Sequence, residues 1–112
     1  MINRVELSGV LVKDPESHQM RSGALRVDFT VAVKGVRWDR AAGCDVIEQV
    51  FIACNAWENV AEQAVPLCMG TVVHVTGQLT QEEIEKDGKK DRKTKVRVLV
   101  LSTVRTPNGS SY

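Results

Sequence analysis

Residues 25–34, Leu25-Arg26-Val27-Asp28-Phe29-Thr30-Val31-Ala32-Val33-Lys34, decide how this chain folds. Leu25, Val27, Phe29, Val31 and Val33 recur at every second position, opposed by Arg26, Asp28, Thr30, Ala32 and Lys34. Only extended backbone, whose side chains alternate between two faces, sends all five large apolar groups one way. The segment therefore predicts a strand with one face on a core and the other toward water. Upstream, Arg4 to Val12 repeats the pattern, with Val5, Leu7, Gly9 and Leu11 on one side and Arg4, Glu6 and Ser8 on the other. That strand ends at Asp14-Pro15, where proline lacks the N–H a ladder needs, and Ser22-Gly23 marks a turn.

Downstream, Gly35 to Gly43 has no repeat and reads as an exposed hairpin loop carrying Arg37, Trp38, Asp39 and Arg40. A third strand is expected over about Val46 to Ala56. Its alternation sets Val50, Ile52, Cys54 and Ala56 on one side, and Gln49, Phe51, Asn55 and, if the register continues, Trp57 on the other. Two large aromatics thus stand among polar neighbours. Asn55 followed by Glu58 has the spacing of a capping box, and Val60, Ala61, Ala64 and Val65 follow at helical intervals, so a short helix is predicted over roughly Trp57 to Val65. Pro66 stops it and Gly70 supplies the way out. Val73, Val75, Gly77 and Leu79 then face Val72, His74, Thr76 and Gln78 across a fourth strand. Asp87-Gly88 is a two-residue turn signal that makes Thr80 to Lys95 an extended hairpin. The fifth strand opposes Val96, Val98 and Val100 to Lys95, Arg97, Leu99 and Leu101. Three strands, one short helix and two strands joined by a long hairpin is the order of an all-β, five-stranded oligonucleotide/oligosaccharide-binding (OB) barrel.

With 112 residues, 43 % apolar and 26 % charged, the chain has room for one domain, expected over residues 1–104, with a disordered tail at 105–112. No apolar run approaches membrane-spanning length, and the opening MINRVELSG alternates instead of showing a secretory signal. Three cysteines without a CxxC pair fit a reducing compartment, the cytosol or an organelle stroma. A net charge of +1 means that any polyanion must be held by a local patch. Such patches exist. Lys86, Lys89, Lys90, Arg92, Lys93, Lys95 and Arg97 face only Asp87 and Asp91 in the same stretch, and Lys34, Arg37 and Arg40 surround Trp38. Basic side chains interleaved with aromatics are how grooves hold single-stranded nucleic acid.

Several short matches carry a resemblance. Asn3-Arg4-Val5-x-Leu7-x-Gly9, Asp14-Pro15-Glu16, Phe29-Thr30-Val31-Ala32-Val33, Val60-Ala61-Glu62 and Val75-x-Gly77-x-Leu79 together resemble the bacterial single-stranded DNA-binding protein family, from residue 1 to about 104. The resemblance implies an OB barrel, assembly as a homotetramer with a dimer as the alternative, and coating of DNA strands in replication, repair and recombination. It also implies roles for particular residues. Trp38 takes a loop aromatic position, Phe51 a third-strand tryptophan position, Trp57 the aromatic before the helix, and Arg4 a basic position on the first strand. Three departures stand out: Thr80-Gln81-Glu82-Glu83-Ile84-Glu85 is acidic where the family carries a ring among basic residues, the sequence ends in Ser110-Ser111-Tyr112 instead of the acidic tip that recruits replication proteins, and Pro66 interrupts the helix.

The expected chemistry is stacking plus phosphate contacts. Trp38, Phe51 and Trp57 would contribute about 1–3 kcal/mol each, before ordering costs of several kcal/mol. Arg4, Lys34, Arg37, Arg40, Lys89, Lys90, Arg92, Lys93, Lys95 and Arg97 would track the phosphates, Lys93, Lys95 and Arg97 from one strand side. The competing readings are a solvated charged hairpin, a Trp57 that plugs the core, and a Phe51 spent on a subunit contact. Phe29 and Cys54 belong to the core. His18 and His74 lack partners at ligand spacing, so no metal and no cofactor is expected. No phosphate loop, HExxH or nucleophile elbow is present, so the chain reads as a non-enzymatic binder working in the cytosol at the nucleoid, without membrane attachment. The alternative is an accessory, primosome-type OB protein that touches DNA weakly and acts mainly through protein contacts, a reading that Glu82, Glu83, Glu85 and the missing tip favour. A structural oligomer whose aromatics are consumed between subunits is the third.

Overall fold

The computed structural model describes residues 1–104; the expected tail at 105–112 lies outside them. The elements are β1 (Val5–Leu11), β2 (Glu16–Gln19), β3 (Leu25–Asp39), β4 (Cys44–Trp57), α1 (Glu58–Ala64), β5 (Val72–Lys86) and β6 (Lys89–Thr103). They form one sheet in the order β1-β5-β6-β4-β3-β2, and an additional β1–β3 pairing closes β1, β3, β4, β5 and β6 into a barrel. Among the described residues no helix is long and apolar enough to cross a membrane.

The core is filled by the alternating residues the sequence singles out: Val27, Phe29 and Val31 of β3, Cys54 and Ala56 of β4, Val73 and Val75 of β5, Val96 and Val98 of β6. Ala61 and Ala64 seal one end from α1. A fully buried valine or phenylalanine contributes about 1.5–3 kcal/mol, so this set dominates stability. Two glycines permit the closure. A Cβ on Gly9 would overlap the Ala32 carbonyl of β3, and one on Gly77 the Arg97 carbonyl of β6.

The structure corrects four sequence expectations. β2 was not anticipated; it pairs Glu16–Gln19 with Leu25–Asp28 of β3, resuming along the same edge that β1 occupies at Val10 and Leu11. Asp14-Pro15 thus interrupts a ladder without ending it. Gly35 to Asp39 is the continuation of β3, not a loop, paired residue for residue with Cys44 to Glu48, so the turn shrinks to Arg40–Gly43. At the helix, Trp57 rather than Asn55 is the N-cap, and no side chain caps the helix. In β6 the inward side switches: Leu101 is buried while Val100 is exposed, because a register irregularity opposite Thr76/Gly77 accommodates Leu99 as an extra residue.

Two long hairpins, β3–β4 and β5–β6, therefore extend beyond the barrel. Their strands pair with each other at two parallel positions, Cys54↔Val96 and Asn55↔Arg97. Past that point they part. The turn at Asp87-Gly88 is where the sequence predicts it, with both residues at positive φ.

Candidate nucleic-acid interface

In an antiparallel pair, residues directly opposite share a face. The β3–β4 register pairs Arg26 with Trp57, Asp28 with Asn55, Ala32 with Phe51, Lys34 with Gln49, and Trp38 with Asp45. All of these lie on the face opposite Val27, Phe29 and Val31, the barrel's outer face. Trp57, Phe51 and Trp38 thus stand in one row. Successive rings are six strand positions apart, about 20 Å at the usual rise per residue. Phe51 is 61 % and Trp38 62 % exposed, so neither is a core plug. Trp57 is half-buried, with the Arg26 guanidinium 6.0 Å from its ring centroid.

The parallel pair Asn55↔Arg97 carries this face onto β6, and Gln78↔Arg97, Thr80↔Lys95 and Glu82↔Lys93 carry it onto β5. The result is a groove of about 210 Å³ across four strands, lined by Arg26, Asp28, Asn55, Trp57, Thr80, Gln81, Glu82, Lys95 and Arg97. Its polar inventory is incomplete. The Arg26 Nε, Asn55 Oδ1 and Trp57 Nε1 atoms are shielded from solvent and have no hydrogen-bond partner. Each such group costs about 1–3 kcal/mol.

The predicted cations divide. Lys93, Lys95 and Arg97 share the groove face, as the alternation predicts, and Lys34 lies on it beside Phe51 and Trp38. Lys90 and Arg92 fall on the opposite face of the β5–β6 hairpin, and Lys89 sits next to its turn. Arg37 is on the face away from Trp38 and is engaged by the Glu48 carboxylate, and Arg40 is in the turn beyond. Arg4 precedes β1 outside the groove and pairs with Glu6 at 3.7 Å. The basic hairpin is also partly neutralised from within: Lys95 Nζ lies 2.9 Å from Glu82 Oε2, and Arg92 3.9 Å from Glu83. The Lys95 ammonium, first by its hydrogen bond and then by its charge, holds the Glu82 carboxyl below the usual range. Among the described residues Lys34, Lys93 and Arg97 carry no ion pair.

Arg26 and Asn55 are groove residues that sequence reasoning passed over as polar positions on strands. Their own alternation placed them on the outer side; only the register reveals that they flank Trp57. Asp28 balances Arg26 at 3.1 Å and accepts a second contact from His18 at 3.3 Å. Phe51 additionally borders an apolar cleft of about 240 Å³ with Val5, Leu7 and Leu79, where the two hairpins part. Among the described residues no group of three metal-ligating side chains forms. The Cys54 thiol is pushed up to about 12 by burial, which suits a packing group and not a nucleophile.

Residues 2–104 match the model of the single-strand binding protein family. A single-stranded DNA-binding protein from Mycobacterium leprae is 38 % identical over 97 residues, covering 84 % of this chain and 58 % of its own. One from Aquifex aeolicus is 32 % identical over 111 residues, 98 % of this chain and 75 % of its own. The fold is that of a crystallised deletion mutant of the single-stranded DNA binding protein from Thermus aquaticus, with a TM-score of 0.85 at 23 % identity over 96 % of this chain and 53 % of that one. The chain thus spans a little over half the length of the Mycobacterium protein.

Proposed function

The chain belongs to the single-strand binding protein family, and on that premise we propose that it binds single-stranded DNA without catalysing a reaction on it. The observation that carries this reading is the row of Trp57, Phe51 and Trp38 on one outer face, beside cations of the same face. A binder indifferent to sequence must use what every nucleotide offers, a ring face and a phosphate. Trp57, Phe51 and Trp38 would stack on bases. Lys34, Lys93, Lys95 and Arg97 would meet phosphates, with Arg26 added to the sequence-derived set. Arg4, Arg40 and Lys89 lie peripherally and would act on the strand as it leaves the groove, whereas Arg37, Lys90 and Arg92 face the other way and would add only to the long-range field.

The activity is proposed to serve replication, repair and recombination in the cytosol, at the nucleoid, from a homotetramer. Addition of oligo(dT) should quench the fluorescence of Trp38 and Trp57, the chain's two tryptophans, and salt should weaken the effect by suppressing counterion release. Unchanged fluorescence at low salt overturns the reading. The Glu82–Lys95 and Glu83–Arg92 pairs favour a second reading, an accessory OB protein with weak DNA contact that works through protein partners. An assembled protein that quenches only at high oligonucleotide concentration would support it.

A further inference from the structure

Of the three carboxylates in the acidic strip, only one faces the groove. The β5–β6 register sets Glu82 on the side of Thr80 and Lys95, whereas Glu83 and Glu85 oppose Arg92 and Lys90 on the other side of the hairpin. Glu82 Oε2 sits 2.9 Å from Lys95 Nζ. Lys95 is the more enclosed partner, its side chain 26 % exposed against 55 % for Glu82. Both line the groove that holds Trp57, Asn55 and Arg97. The carboxylate thus occupies the lysine within the groove that a phosphate would enter.

We propose that Glu82 is an internal competitor for the phosphate of a bound strand, holding Lys95 neutralised until the strand displaces it. The proposal rests on the single-strand reading above. Its physical content is an exchange. A nucleic-acid strand carries cations condensed on its phosphates, and a lysine without an internal partner releases them when it neutralises a phosphate, which drives binding. Lys95 is neutralised by Glu82 instead, so a phosphate arriving there displaces a carboxylate. That carboxylate, more than half exposed, moves into water and recruits a cation of its own. The net ion release at this position is close to zero, and Lys95 contributes little to either affinity or salt dependence. Glu82 therefore lowers affinity and makes it less sensitive to salt than a count of groove cations implies.

The test is a titration of the full chain with oligo(dT), followed by tryptophan fluorescence at several salt concentrations, for wild type, E82Q, E83Q, K95Q and E82Q/K95Q. Glu82→Gln is expected to raise low-salt affinity about fivefold, the scale of one ion pair. It should also steepen the slope of log K against log salt by about 0.7, one more single-strand phosphate contact. Glu83→Gln, on the far face, should give a smaller gain and leave the slope unchanged. In the Lys95→Gln background Glu82→Gln should lose its slope effect. If E82Q matches E83Q in both readouts, or acts as strongly without Lys95, the competitor is overturned while the single-strand reading stands. If neither wild type nor any variant is quenched at low salt, both fall together.

Discussion

Trp57 and Phe51 share a strand face but not an environment, so their removal should have separable consequences. Trp57 is half-buried beneath Arg26, and its loss unseats a cation as well as a ring. Phe51 stands clear on the outer face. Each single Ala variant should weaken oligo(dT) affinity by about 1–3 kcal/mol, and the double variant well over tenfold, as read by titration against the remaining Trp38 or by filter retention. Wild-type affinity in the double variant would remove stacking from the account. Cys54 gives a prediction about stability. Its thiol rises from 9.0 to about 12 on burial, so the native state keeps a proton that the unfolded state surrenders. That stabilisation is complete below about pH 9 and is lost as pH rises toward 12, at up to about 1.4 kcal/mol per unit. Urea unfolding between pH 9 and 11 should therefore fall less steeply for Cys54→Ala than for wild type, and parallel curves would contradict it. At this scale the sequence is informative where one strand suffices: the outward parity of Phe51 and Trp57 follows from Ile52, Cys54 and Ala56. Arg26 was invisible as a site residue because its neighbour Trp57 lies 31 positions away and meets it only through the β3–β4 register.

Among elements, the closing strands depend on glycines that let two backbones approach. Gly77→Ala would push a methyl group into the Arg97 carbonyl at the β5 irregularity, where backbone cannot yield cheaply. A loss of about 1–3 kcal/mol or more is expected. Gly35→Ala meets open space on the projecting part of β3 and should change stability by less than about 0.5 kcal/mol. Equal effects in thermal or urea unfolding would mean that Gly77 is not a contact-limited position. The same contrast explains which elements could be read in advance. Leu25–Val33 alternates because one side is buried, whereas the arm beyond Gly35 is exposed on both sides, as Val36 and Trp38 show on one face and Arg37 and Val50 on the other, so nothing selects a repeat there. β2 is four polar residues on an edge and leaves equally little trace. Val98-Leu99-Val100-Leu101 is apolar throughout, so alternation cannot reveal that the inward side shifts from Val98 to Leu101.

For the whole molecule, the near balance of charge, +1 overall, coexists with a face on which Lys34, Lys93 and Arg97 lack acidic partners. Affinity should then come from geometry more than from the overall field. Three rings spaced about 20 Å apart along the β3–β4 hairpin cannot all be reached by a strand of a few nucleotides. Short dT oligomers should engage one ring and bind weakly, with affinity climbing as length brings in the second and third. Stacking of about 3–9 kcal/mol per subunit, less several kcal/mol of ordering cost, leaves one barrel a modest binder. An assembly changes this, because once one subunit holds the strand, contact with the next becomes intramolecular. If the protein works as a homotetramer, light scattering should give four times the chain mass, and affinity should keep rising with oligonucleotide length after one subunit's row is filled. A monomeric mass with affinity that levels off once a single row is spanned would place the whole binding site within one chain, and coating by assembled barrels would have to be abandoned.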